Sequence, residues 1–234
     1  MTVCLQGGGE FSVGCRGMDR DLLALADGPV VVTALAGAVG RDYGVASQNG
    51  VRHLRALGAA DVVAAPDVRE EPELALRVLR SARLIVLPGG SPSRLLTALT
   101  GTPVGLIVKE LLDDGGVVMG ASAGAMVLCE WTVLPDRRGP GAGPLVVRGL
   151  GIVSGCLVVP HWSGGSSRGD WLGAVRDQVP DPVEVLGLPE ESGLLITDTV
   201  SAVGQHATRL VTHDRDLEPG QVWSGRLPLI PRSA

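Results

Sequence analysis

The run Pro29-Val30-Val31-Val32-Thr33-Ala34-Leu35 is apolar almost throughout and shows no alternating polar face. A segment of this kind must be covered on both sides, which is the condition of a strand in a parallel sheet flanked by crossover helices. Val3-Cys4-Leu5-Gln6, Ala60-Asp61-Val62-Val63-Ala64 and Ala82-Arg83-Leu84-Ile85-Val86-Leu87 read as further strands. Between them, residues 19–26, 41–57 and 71–81 carry helical periodicity, with Gly58 placed as a C-cap. Regular strand–helix alternation with right-handed crossovers predicts an α/β three-layer sandwich around a mostly parallel central sheet. Beyond residue 143 the apolar pieces shorten and lie close to glycines, so short β pieces are expected in the C-terminal third. With 234 residues and no interdomain linker, residues 1–234 are read as one α/β domain able to bury a sizeable core.

Within this alternation one junction carries chemistry. Val117-Val118-Met119 leads into Gly120-Ala121-Ser122-Ala123-Gly124, a G-x-S-x-G strand-to-helix turn. Such an elbow strains the serine backbone, and only small neighbours let strand and helix approach. Ser122 then faces the N-terminus of the next helix, where free N–H groups favour developing negative charge. A second glycine turn, Pro88-Gly89-Gly90-Ser91-Pro92, opens a helix at the end of the preceding strand. Its N–H groups can face the same crevice, since ligands bind beyond the C-terminal ends of strands in open α/β sheets. Ser91 is equally placed to be an ordinary N-cap.

A serine hydroxyl needs a base, and the base needs an acceptor that fixes its tautomer. His53 lies inside a helix, and His206 and His213 fall among the late β pieces. His161 ends an apolar strand and opens the Ser163-Gly164-Gly165-Ser166-Ser167 loop, so it is the candidate base, with Trp162 as a core cap or a pocket wall. Two acids qualify as its partner: Glu190, in the Pro-Glu-Glu turn after His161, and Asp136, between Ser122 and His161.

A formal charge of −5 and 3% aromatic residues argue against a nucleic-acid surface, which needs basic clusters and stacking rings. The apolar runs are too short to span a membrane, and no basic-then-apolar leader opens the chain. The expectation is a cytoplasmic protein acting on small peptides, without nucleic-acid or membrane partners, and able to form a homodimer. Cys4, Cys15, Cys129 and Cys156 lie far apart without metal-ligand spacing, so reduced thiols are expected, with no metal and no cofactor.

The ordered set Gly7-Gly8-Gly9-Glu10, Pro88-Gly89-Gly90, Gly120-Ala121-Ser122-Ala123-Gly124-Ala125, Gly149-Leu150-Gly151, His161-Trp162 and Gly187-Leu188-Pro189-Glu190 resembles the peptidase E and cyanophycinase family of serine peptidases. That family has a class I glutamine-amidotransferase-like sandwich, a flavodoxin-like arrangement with serine in place of the amidotransferase cysteine. The resemblance implies Ser122 as nucleophile, His161 as base and then acid, and Glu190 as the orienting carboxylate, with Asp136 as the alternative acid. It also implies an oxyanion hole from the N–H groups of Gly89, Gly90 and Ala123.

Two departures bear on substrate. Peptidase E members usually carry Asn after the loop glycines and cyanophycinases a Gln-containing loop, where this chain has Ser91-Pro92. Cyanophycinases also place several arginines after the histidine, whereas only Arg168 stands here before the next helix. One guanidinium can hold one carboxylate in two-pronged fashion. Ser91, Trp162 and Arg168 are therefore the candidate substrate contacts, and cleavage at an N-terminal or β-linked aspartyl residue is the expected reaction. Two other readings are a non-catalytic or amidotransferase-like binding module that keeps the elbow for packing, and an α/β-hydrolase esterase.

Overall fold

The computed structural model describes residues 1–135, 143–164, 169–179, 183–225 and 227–229. Its central sheet has a five-stranded parallel part formed by β1 (Thr2–Gln6), β5 (Val117–Ala121), β4 (Leu84–Leu87), β2 (Val30–Val32) and β3 (Val62–Ala64), in that spatial order. Three antiparallel strands extend it past β1, namely β10 (Ser192–Ile196), β11 (Val200–Gly204) and β14 (Val222–Trp223).

Side chains of the parallel strands alternate between two apolar clusters. Ile85 and Leu87 join the cluster that contains Leu79, Leu95 and Ile107, and Leu84 and Val86 join the one that contains Met18, Leu22, Val51 and Leu54. The first set belongs to α3 (Pro72–Arg80), α4 (Pro92–Gly101) and α5 (Val104–Asp113), the second to α1 (Arg16–Leu25) and α2 (Arg41–Ala56). Helices therefore cover both faces, giving the α/β three-layer sandwich with a mostly parallel sheet that the apolar runs demand.

The helix ends follow local chemistry. At the C-terminus of α2, Gly58 with φ 104° donates its N–H to Arg55 O, and Ala59 donates to Leu54 O. This is a Schellman turn, which needs the left-handed residue that glycine supplies. In α5, Val104, Ile107, Val108, Leu111 and Leu112 are buried at the 3–4 spacing of one helical face. Among the described residues no single helix is long and apolar enough to cross a membrane.

The later β pieces do more than the sequence suggests. Besides extending the main sheet, they build a second sheet of six strands. Its order is β13 (Arg215–Leu217), β12 (Thr208–Leu210), β9 (Glu184–Leu188), β8 (Val153–Pro160), β6 (Cys129–Leu134) and β7 (Leu145–Arg148). Strand β8 is parallel to both of its neighbours and is buried from Cys156 to Pro160. Its C-terminal end and the turn after β9 bring two loops to the rim where β1 and β5 end.

Candidate active site

The last residue of β5 is Ala121, and the six-residue helix α6 (Ala123–Leu128) starts two residues later. Ser122 between them has φ 47° and ψ −106°, a backbone that L-residues adopt only at an energetic penalty of about 1–3 kcal/mol. The turn is held by Ser122 N–H donating to Gln6 O at 2.8 Å and by Met126 N–H donating to Ser122 O at 3.0 Å. Small residues are obligatory here. A β-carbon on Gly120 would lie 2.5 Å from the Gly124 carbonyl carbon, and one on Gly124 would lie 2.2 Å from Leu87 O.

His161 follows the last residue of β8 and also has positive φ, 53°. Its N–H donates to Gly7 O at 2.9 Å, which ties the end of β8 to the glycine turn after β1. The ring lies 2.9 Å from Ser122 Oγ through Nε2 and 3.0 Å from Glu190 Oε1 through Nδ1. With Nδ1–H donating to the carboxylate, Nε2 is left with its lone pair toward the serine hydroxyl, the tautomer that proton abstraction requires. Glu190 sits in the turn between β9 and β10, clamped by Glu191 N–H donating to Gly8 O at 2.8 Å and Ser12 Oγ–H donating to Glu191 Oε1 at 2.6 Å. The Glu190 side chain is 62% exposed and that of His161 38%, so the chain of bonds opens toward water from the carboxylate end.

The glycine turn at residues 7–9 is the hub of this arrangement. A β-carbon on Gly7 would stand 2.1 Å from Pro189 O, and one on Gly8 would stand 2.4 Å from His161 Cε1. The missing side chains at Gly7 and Gly8 thus make room for two loops of the same chain.

Across from the histidine lies the loop after β4. Gly90, with φ 139°, turns its backbone against Ala36, and the Ser91 side chain caps α4 by accepting from Arg94 N–H at 3.3 Å. The N-cap role thus occupies one lone pair of the Ser91 hydroxyl. Ala123 N–H opens α6 and has no carbonyl four residues back within the helix. The Gly89 N–H, by contrast, is taken, donating to Glu10 Oε1 at 2.7 Å. A β-carbon on Gly89 would lie 2.8 Å from that oxygen and 3.2 Å from Ser122 Cβ, so the Glu10 carboxylate and the Ser122 side chain flank one small volume. The sequence reading names Glu10 only as the end of the first glycine motif and gives it no role. Its signal is an acidic residue directly after a glycine turn at the binding edge of the sheet.

Trp162 is half-buried against Gly187, where an added β-carbon would meet the indole at 2.5 Å. Asp136 and Arg168 lie outside the described residues. The remaining described histidines are elsewhere: His53 pairs with Asp19 at 2.7 Å, His213 with Glu184 at 2.8 Å, and His206 is exposed, its backbone N–H donating to Ser192 Oγ at 2.7 Å. All four cysteines are buried free thiols. Burial pushes the Cys15 thiol, which receives Gln6 Nε2–H at 2.8 Å, above its usual range, so it offers no competing thiolate.

The geometry suits acyl transfer, with a hydroxyl, its base, an orienting carboxylate and N–H donors at one rim. The model of peptidase family S51 matches residues 36–203, a span that contains Ser122, His161 and Glu190 and leaves Glu10 outside. Among solved structures, a peptidase from an acI-B1 Actinobacterium superimposes with a TM-score of 0.78 at 23% identity, covering 96% of each chain. A protein assigned as a peptidase E from Listeria monocytogenes EGD-e superimposes with a TM-score of 0.63 at 17% identity, over 87% of this chain and 98% of the other. At those identities the structures speak for the fold. No curated protein matches the sequence.

Proposed function

The chain belongs to peptidase family S51 and is a serine peptidase, and from that premise we propose that Ser122 is its nucleophile, His161 its general base and then acid, and Glu190 the carboxylate that orients the histidine. The observation that carries this assignment is the unbroken chain of contacts, 2.9 Å from Ser122 Oγ to Nε2 and 3.0 Å from Nδ1 to Glu190. As Oγ bonds to the scissile carbonyl carbon, its proton passes to Nε2 and the carbonyl electron pair moves onto oxygen. The N–H groups of Gly90 and Ala123 face that oxyanion, joined by Gly89 when Glu10 is drawn aside. One such donor typically contributes about 3–4 kcal/mol. Collapse breaks the C–N bond, Nε2–H protonates the leaving amine, and an ester remains on Ser122. Water then attacks the ester, giving its proton to Nε2, and Ser122 recovers the proton as the acid departs.

The proposed substrate is a small peptide cleaved at an N-terminal or β-linked aspartyl residue. The resemblance to peptidase E supports this class, as do Arg16 and Arg52, which line a hollow of about 570 Å³ beside Glu10 and supply cations suited to a carboxylate. Arg168 is the other proposed contact. Purified protein assayed against Asp-Xaa, β-aspartyl and neutral dipeptides, with Ser122→Ala as control, tests the reading. Cleavage of the aspartyl sets alone, lost in Ser122→Ala and weakened by Arg168→Ala or Arg52→Ala, is expected. Equal cleavage of neutral peptides discards the aspartyl assignment, and hydrolysis that survives Ser122→Ala discards the mechanism.

A further inference from the structure

We propose that Glu10 binds the free α-ammonium group of the substrate's first residue and so restricts the enzyme to peptides cleaved after an unblocked amino-terminal residue. The inference rests on the serine-peptidase reading above and adds to it a residue outside the Ser122, His161 and Glu190 set. The glycine turn after β1, with Gly8 and Gly9 both at positive φ, leads into Glu10, whose carboxylate reaches the loop after β4 and accepts the Gly89 N–H at 2.7 Å. Glu10 is partly exposed, and among the described residues no Lys, Arg or His nitrogen lies within ion-pair distance of it. One N–H leaves most of its acceptor capacity unused, since an ionised carboxylate can accept about four hydrogen bonds.

A carboxylate at this place is unfavourable for acyl transfer by itself. It occupies a donor placed to serve the oxyanion, and its charge repels the negative charge that develops beside Ser122. A substrate that carries its own cation to the same spot removes both objections. In an amino-terminal residue the nitrogen and the carbonyl carbon are separated by one Cα, which places them about 2.5 Å apart by bond geometry. When that carbonyl stands over Ser122, the ammonium must therefore lie within reach of the volume between Ser122 Cβ and Glu10 Oε1, the volume a Gly89 β-carbon would occupy. Neutralised by the ammonium, the carboxylate can leave the Gly89 N–H, which then becomes available to the oxyanion. An acylated amino terminus offers no cation, and the carboxylate stays where it is.

The experiment compares the best-cleaved α-linked dipeptide of the panel with its N-acetyl counterpart in wild type and in Glu10→Gln, an isosteric change that retains an acceptor for Gly89. Fluorophosphonate labelling of wild-type Ser122 is the parallel readout. The ratio of kcat/KM, free over acetylated, is expected to be about 100 or more in wild type and below about 10 in Glu10→Gln, the loss falling on the free peptide. A ratio that the variant leaves at its wild-type size, or a wild type that cleaves both peptides alike, overturns the role of Glu10 while the labelled Ser122 leaves the peptidase reading standing. A wild type that cleaves no peptide and takes no label on Ser122 overturns that reading, and this inference with it.

Discussion

Gly8 lies flush against the imidazole of His161: a β-carbon built on it would stand 2.4 Å from Cε1 and 2.6 Å from Nδ1. The ring is positioned from below by the absence of a side chain as much as by its two hydrogen bonds. Gly8→Ala should therefore swing the imidazole away from Ser122 and lower kcat/KM by about 100-fold, the scale of a misplacement near 1 Å. The positive φ of Gly8 adds a stability loss of about 1–2 kcal/mol. Denaturant melts beside steady-state kinetics separate the two effects. An active Gly8→Ala would mean that the ring is not held where catalysis needs it.

His161 and Glu190 should not be equal in effect. Removing the base leaves Ser122 without a proton acceptor, so His161→Ala should lower kcat by about 10⁴-fold or more. The Glu190 carboxylate is largely exposed, so water can partly replace it in Glu190→Gln, and a smaller fall of about 10²–10³ is expected. Steady-state kcat for the two variants checks the order: an equal or inverted ranking contradicts it, and a Glu190→Gln variant with wild-type kcat would place another group, Asp136 first, behind the histidine.

The elbow stores strain that can be read directly. Neither Ser nor Ala adopts φ 47° easily, whereas Gly does. Ser122→Gly should therefore unfold with a free energy about 1 kcal/mol above that of Ser122→Ala, with both inactive. Chemical denaturation of the two variants makes the comparison, and identical stabilities would show that the turn is unstrained.

Behind the site, burial raises the Asp19 carboxyl above its ordinary 3.8, and the hydrogen bond from His53 only partly offsets it. Below that value the carboxyl is protonated in folded and unfolded chains alike. As pH rises through the raised folded value, the unfolded chain loses its proton first, so stability falls. Wild type should then lose stability relative to Asp19→Asn as pH climbs above about 4 in urea melts. A constant difference between the two proteins would show that Asp19 ionises as easily folded as unfolded.

Much of this architecture is legible in the chain because the signals are strong and local. Apolar runs such as Val30–Val32 with helical segments between them define the parallel sheet, and Gly58 marks the end of its helix. Strand β6 and the second sheet are harder to read. Cys129–Leu134 follows the elbow helix without a breaker, and its partners Val153–Pro160 and Glu184–Leu188 lie far along the chain, so no local period announces their pairing. Ser122, His161 and Glu190 are each visible as a polar residue at a strand end or turn, and family resemblance orders them. Glu10 stands in the first glycine motif, but its role is not legible there, because its partner Gly89 lies 79 residues along the chain. The alternative acid Asp136 and the substrate contact Arg168 fall outside the described residues.

In the proposed mechanism His161 activates the hydroxyl of Ser122. The most direct test of that step is the rate of covalent labelling by a fluorophosphonate, mapped by mass spectrometry, in wild type and His161→Ala. Stoichiometric label on Ser122 in wild type, slowed by about 100-fold or more without the imidazole, is the predicted result. Label absent from Ser122, or arriving at the same rate in both proteins, would contradict it.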